Sequence, residues 1–409
     1  MTGAEENFDV AIVGAGLAGM ICALAFGPPG NRGRLRTVLI GAPQAGQSAD
    51  LRALAITRSS RRMFEAMGLW GNIAGEAEPL RDIIVSDARP GEGEAPALLR
   101  WDNEGSADPS AHFIESHLVQ RLLRAGLAAS EHVQIVPADF LNAKFHKGSV
   151  EIATTQGDRL KARLLIAADG KESRVRVSAG IGIRRKDYDQ MGIVATLQHS
   201  LPHGGRAHER FMLAGPFALL PLTGRRSSIV WTEERETARS ILAGGNELFL
   251  GELRKRVGHD LGEIEIIAGP QAHDLSMLMA ETCVRNRTAL IGDAAHVIHP
   301  LAGLGYNLAL RDIAALVEVV MEKARLGLDI GSEGSLEPFE RRRRIDTMMN
   351  TVMADALNRL FSNDIAPVRR VRDLGLRIVD RLPMLKQFLM EEAAGLTGDL
   401  PRLMRGEAV

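Results

Sequence analysis

The stretch VAIVGAGLAGMICALAFG, residues 10–27, decides the fold of this 409-residue chain. It carries no charge and approaches the length of a membrane-spanning helix. Glu5, Glu6 and Asp9 precede it, with no Lys or Arg, so it lacks the positive flank of a secretory signal. Gly14, Gly16 and Gly19 stand in G-x-G-x-x-G spacing, directly after the apolar run 10–13 and before a helix-compatible run. In such a turn the first glycine permits the bend, the second admits a pyrophosphate and the third lets helix pack on strand. The phosphates then rest on the helix amino terminus. The stretch therefore reads as a buried strand turning into a buried helix. The next strand, 37–40, should end in an Asp or Glu for the ribose hydroxyls, but Gly41 follows it. Either the ribose contact comes from elsewhere, with Asp50 or Arg52 the nearest candidates, or the site binds its dinucleotide less tightly than usual. Arg32, Arg34 and Arg36 read as a solvated face rather than a 2′-phosphate site.

Composition bounds the rest. The length indicates two or three domains with a large core. Fifty basic against 51 acidic residues give a net charge of -1, which offers no electrostatic footprint for nucleic acid. Two cysteines, Cys22 and Cys283, build neither a disulfide framework nor a cysteine metal site, so a reduced, cytoplasmic compartment is expected.

Along the chain, Met63, Phe64 and Met67 suit a short helix ending at Gly68, and 89–96 reads as a surface loop. Residues 111–127 read as helix, with Leu118, Leu122 and Leu123 on one face. Strand-type runs lie at 133–136, 150–153 and 164–167. GIVATLQ, RFMLAGPFALLPL and SSIVWT, between 192 and 232, predict an antiparallel sheet inserted in an α/β frame, and beyond Asp312 the chain reads as mostly helical.

Two further strand ends carry chemistry. LLIAADGKESRVR, 164–176, ends a strand in Asp169-Gly170, which reads either as an ordinary turn or as a ligand for ribose or ribityl hydroxyls. TALIGDAAHVIHPLAGLGYNLALRDIAAL, 288–316, repeats the device at Asp293 and adds Pro300, Gly303, Gly305 and a helix starting near Tyr306. Asp293 can accept bonds from a polyol, glycine backbone can lie against a flat ring, and a helix amino terminus stabilises the anion of a reduced flavin. His296 and His299 could pair on a metal, but with no third ligand nearby and Pro300 beside His299 they read as packing next to a cofactor.

Together these motifs resemble the class A FAD-dependent aromatic monooxygenases, and more closely the ubiquinone-biosynthesis hydroxylases of the UbiH/UbiF type. The match includes GAGLAG at 14–19, DLRALAIT at 50–57, IESHLVQRLL at 114–123, ADGKESRVR at 168–176, AHERFMLAGPFALLPL at 207–222 and GDAAHVIHPLAGLGYNLALRD at 292–312. The resemblance implies an α/β architecture: a Rossmann-like FAD-binding domain (1–75, 100–180 and 275–330), an antiparallel-sheet substrate domain (76–99 and 181–274) and a helical carboxyl-terminal region (331–409). It implies that Gly14, Gly16 and Gly19 bind the FAD diphosphate, that Arg52 and Gln120 contact the cofactor, and that Asp169 and Gly170 sit by FAD or the nicotinamide path. Asp293 would bind the ribityl chain, and Pro300, Gly303 and Gly305 would border the isoalloxazine. Phe211, Phe217 and Leu219 would wall the substrate. Gly41, Ser116, Leu304 and Ala309 depart from the family pattern.

The activity so implied is hydroxylation of a polyprenylated phenol in ubiquinone biosynthesis, with NADH or NADPH and dioxygen, through a flavin C(4a)-hydroperoxide. No metal is implied, and no acid-base residue is nominated. The four departures leave a second reading, a non-catalytic FAD-binding subunit of a quinone-biosynthesis complex. Trp70, Trp101 and Trp231 are too scattered for a flavin halogenase signature. A basic amphipathic segment at 368–389, divided at Pro383, predicts peripheral contact with the inner membrane or a membrane-proximal complex, or else packing on the protein's own core.

Overall fold

The computed structural model describes residues 6–27, 35–42, 50–87, 97–102, 108–299, 303–361, 391 and 394–409. Pro300, the 89–96 loop and the 368–389 segment lie outside the described residues.

The first sheet is built on five parallel strands in the order β18 (Thr288–Leu290), β11 (Arg159–Ala167), β1 (Glu6–Val13), β2 (Thr37–Ile40) and β8 (Val133–Val136). Antiparallel β9 (Phe140–Phe145) and β10 (Val150–Thr154) extend from β11, and β17 (Val284–Arg285) borders β18. Its central strands are apolar on both faces because both are covered. Val10, Ile12, Leu39, Leu164 and Ile166 pack with Met20 and Ile21 of helix α1 (Leu17–Ala25) and with Ile313 and Val317 of α7 (Leu304–Arg325). The alternate residues Ala11, Val13, Val38, Ile40 and Leu165 pack with Val175 of α4 (Arg174–Ser178).

The second sheet runs β19 (His296–Val297), β16 (Ile264–Ala280), β12 (Ile183–His199), β15 (Arg226–Glu234), β14 (Gly215–Leu222), β13 (Arg206–Met212), β5 (Asp82–Asp87) and β6 (Ala97–Asp102). One face is a core of Ile193, Ala195, Phe217, Leu219, Ile229 and Trp231 against α5 (Arg235–Ala243) and α6 (Gly245–Val257). The other face sends Ala207, Leu220 and Leu222 onto the small sheet of β3 (Ala53–Thr57), β7 (Ala111–Glu115) and β4 (Glu78–Pro79), at Ala55 and Phe113.

Two expectations are corrected. Residues 111–115 are strand, paired antiparallel with β3, and helix α3 (Ser116–Ala128) begins only at Ser116. The run AHFIE is short and apolar, so periodicity could not separate it from the helix that follows. The inserted sheet is also not purely antiparallel, because β13 lies parallel to β5, a strand recruited from a distant part of the chain. Met63, Phe64 and Met67 are buried by α2 (Arg58–Ala66). The chain continues through α8 (Glu333–Phe361) and ends, after the undescribed segment, in α9 (Arg402–Arg405).

Candidate functional site

Because the central strands are parallel, their carboxyl ends share one edge of the first sheet. There Gly14 N–H donates to Ile40 O at 2.9 Å, Ala168 N–H to Val13 O at 2.8 Å and Ile291 N–H to Ala167 O at 3.0 Å. All three sequence motifs are thereby tied to one another through backbone. The three fingerprint glycines have different neighbours. A Cβ on Gly14, whose φ is +106°, would sit 2.3 Å from Ala168 O, and one on Gly19 would sit 1.8 Å from Gly14 O. A Cβ on Gly16 would meet nothing within 4 Å. Gly14 and Gly19 thus close the turn, while Gly16 leaves open space at the start of α1, where no side chain among the described residues caps the free N–H groups. Gly41 has φ +137°, and a Cβ there would lie 2.9 Å from Ala15 N. The position expected to hold a ribose carboxylate is where the second strand end passes the diphosphate turn.

Arg52 pairs with Asp50 at 2.8 Å, and Asp50 also accepts from Ser116 Oγ at 2.7 Å. Burial pushes the Asp50 carboxyl up, but the Arg52 bonds and charge and the Ser116 hydroxyl hold it below its ordinary value. Gln120 Nε2 donates to Ser116 Oγ at 3.4 Å, which joins the nominated Arg52 and Gln120 through one chain of contacts. Ser116, a departure from the family pattern, is the buried link in that chain. Asp293 is exposed, and its charge reaches Arg52. His273 of β16, absent from the sequence reading, also stands near Arg52 and Asp50; burial and the Arg52 charge push its imidazole down. Asp169 is engaged locally: its carboxylate accepts from Ser173 Oγ at 2.5 Å and from Val175 N–H at 3.2 Å. Gly170 turns beside it with φ +82°. Arg176, buried, donates to Ala294 O at 2.8 Å and joins the second motif to the third.

In the third motif Gly303 adopts φ +64° as the amino-terminal cap residue of α7, and a Cβ there would lie 3.1 Å from the Ala55 Cβ. Asn307 locks this corner: its Nδ2 donates to Ala55 O at 2.7 Å and to Gly303 O at 3.2 Å, and its Oδ1 accepts from Ser60 Oγ at 2.8 Å. Nothing in the spacing of glycines pointed to it. Gly305 follows on the first turn of α7, half-buried. Ala309 is buried 3.4 Å from where a Gly292 Cβ would stand, so the larger residue is accommodated against the glycine of the turn. Asp312 receives Gly292 N–H at 2.9 Å, His296 Nε2 at 2.6 Å and Arg343 Nε at 2.6 Å. His296 is therefore held by a carboxylate. His299 lies edge-on to Tyr188 at 5.2 Å, with both ring nitrogens buried and without partners among the described residues, and burial pushes its imidazole down to about 4.

The nominated wall residues divide. Phe217 and Leu219 belong to the core against α5 and α6. Strand alternation puts Phe211 on the opposite face of β13, which it shares with Ala207.

Comparison with known proteins adds to this geometry. Residues 7–334 match the family model described as FAD binding domain. The chain is 39% identical over 412 residues to ubiquinone hydroxylase UbiL of Rhodospirillum rubrum, covering 98% of this chain and 94% of that protein. It is 30% identical to 3-demethoxyubiquinol 3-hydroxylase of Escherichia coli, covering 96% of this chain and all of that one. Among solved structures, p-nitrophenol 4-monooxygenase PnpA of Pseudomonas putida superposes with a TM-score of 0.80 at 17% identity, over 96% of this chain and 99% of that one, a likeness of fold. The chain belongs to the FAD-binding domain family, as an FAD-dependent aromatic hydroxylase akin to the ubiquinone hydroxylases.

Proposed function

We propose that this protein hydroxylates the aromatic ring of a polyprenylated phenol in ubiquinone biosynthesis, with NADH or NADPH as reductant. The observation that carries the reading is the full-length likeness to UbiL, which spans both the strand-end edge and the second sheet. The residues present fit the cofactor. Gly16 and the uncapped start of α1 offer backbone N–H groups to the diphosphate, with room for it, and the exposed Asp293 offers a carboxylate to the ribityl hydroxyls. Arg52, steered by Asp50 and backed by Ser116 and Gln120, supplies a cation beside them. Gly303 and Gly305 would let the start of α7, with its positive end, approach the ring. Bound FAD supplies the redox chemistry, activating dioxygen for transfer to an electron-rich ring. The protein's share is to orient that ring and exclude water, for which the apolar face of the second sheet is suited.

The test is direct. Purified protein is expected to carry FAD and to oxidise NAD(P)H faster when a polyprenylated phenol in detergent micelles is added, giving a product heavier by one oxygen in mass spectrometry. Flavin-loaded protein that returns every such phenol unchanged would sink the proposal.

A further inference from the structure

One carboxylate breaks the pattern of the second sheet. On β13, Arg210 and Met212 face the helices: Arg210 donates to Arg256 O at 2.8 Å, and Met212 belongs to the core there. Ala207 joins the opposite face, so alternation places Glu209 on that face, between Ala207 and Phe211. Its cross-strand neighbours are Ala218 on β14 and Val85 on β5. Leu220 and Leu222 of the same face pack with Ala55, the residue nearest to a Cβ on Gly303 at the start of α7. The face that bears Glu209 is thus turned toward the ring end of the cofactor site proposed above.

The Glu209 side chain makes no hydrogen bond or ion pair among the described residues, and burial alone pushes its carboxyl up to about 7. It nevertheless keeps part of its surface accessible. Asp87, the register partner of Phe211, is the nearest titratable position on β5, and the Glu115–Arg226 pair at 2.9 Å closes the far end of the face. A carboxylate held without a partner on an apolar face is costly, and such groups mark functional sites.

We infer that Glu209 binds the phenol hydroxyl of the substrate and takes its proton. The O–H bond breaks, the proton passes to a Glu209 Oε, and the electron pair stays on the phenol oxygen. From there it enriches the ring carbons ortho and para to that oxygen, the positions that an electrophilic oxygen attacks. A base near neutrality is suited to this exchange at cellular pH. The inference rests on the phenolic substrate class of the proposed function.

The experiment uses the FAD-loaded enzyme and its Glu209→Gln variant, with a polyprenylated phenol in micelles. Hydroxylation is expected to fall about 100-fold or more. Thermal unfolding gives a second readout. The variant's advantage in Tm should grow as pH rises from 4.5, the ordinary value, to about 7 and level off above it, because over that span the unfolded carboxyl ionises while the folded one stays protonated in its apolar setting. Equal hydroxylation by an active wild type and the variant overturns the role of Glu209 alone, as does a Tm difference independent of pH. If the wild type hydroxylates no phenol, the proposed function falls and this role with it. Should the variant not fold, the wild-type rate decides: a rise with pH through about 7 is expected, and a flat profile there overturns the inference.

Discussion

At the residue scale, the glycines of the first motif are not equivalent, and their environments predict opposite outcomes. Gly19→Ala would force a methyl to within 1.8 Å of Gly14 O, so it is expected to abolish folding, read as insoluble or unfolded protein by circular dichroism. A Cβ on Gly16 meets no atom of the described residues within 4 Å, so the Gly16→Val apoprotein should fold, with a Tm close to wild type. Its side chain would stand where the diphosphate is proposed to rest, and FAD affinity should drop at least tenfold by fluorescence titration. The spacing alone identified all three glycines, but which of them holds the chain and which faces the ligand depends on Ala168 and Gly14, neighbours supplied by the fold. Gly41 teaches the same lesson. As a letter it was a missing ribose ligand; in space it is the residue that clears Ala15.

At the element scale, Asp312 ties three pieces together: the turn at Gly292, the strand residue His296 and helix α8 through Arg343. Burial pushes its carboxyl up, but the charges and hydrogen bonds of its partners outweigh this and hold it below the usual carboxylate value. Its contribution is therefore present above pH 3.8, the ordinary value, and is lost as pH falls through the lower folded value. Asp312→Asn leaves the buried Arg343 guanidinium poorly compensated and is expected to cost about 3–5 kcal/mol at neutral pH by urea unfolding, with less acid sensitivity remaining. This clamp was only half legible. His296 stood out as a residue but was weighed against a metal, because Arg343 lies 31 residues beyond Asp312 on a separate helix, and sequence spacing carries no sign of that approach. The strand at 111–115 was missed for a related reason: five residues of apolar sequence become a strand only once β3 is there to pair with them.

At the scale of the whole molecule, α8 is turned inside out. Arg343, Thr347 and Thr351 face inward, while Ile345, Met348, Met349 and Val352, each more than half exposed, form a stripe at helical spacing beside exposed Arg341 and Arg344. No helix among the described residues is long and apolar enough to cross a membrane. An apolar stripe edged with arginine suits the surface of an anionic bilayer, where a polyprenylated substrate resides. Combined Ile345→Glu, Met348→Glu and Met349→Glu substitutions are expected to cut cosedimentation with phosphatidylglycerol liposomes severalfold, with the Tm unchanged. Retained binding would remove α8 from the contact.

By itself the sequence determined the layered α/β plan, the flavin cofactor and the family, because strand-end glycines and acids at fixed spacing are local demands of backbone geometry and phosphate chemistry. Tertiary structure alone decided which face each residue serves. Phe211 and Phe217 lie in one short stretch, yet Phe217 is core against α5 and α6, while Phe211 shares the opposite face with Glu209. That division follows from sheet register and from which surface the helices cover, both products of contacts between distant parts of the chain.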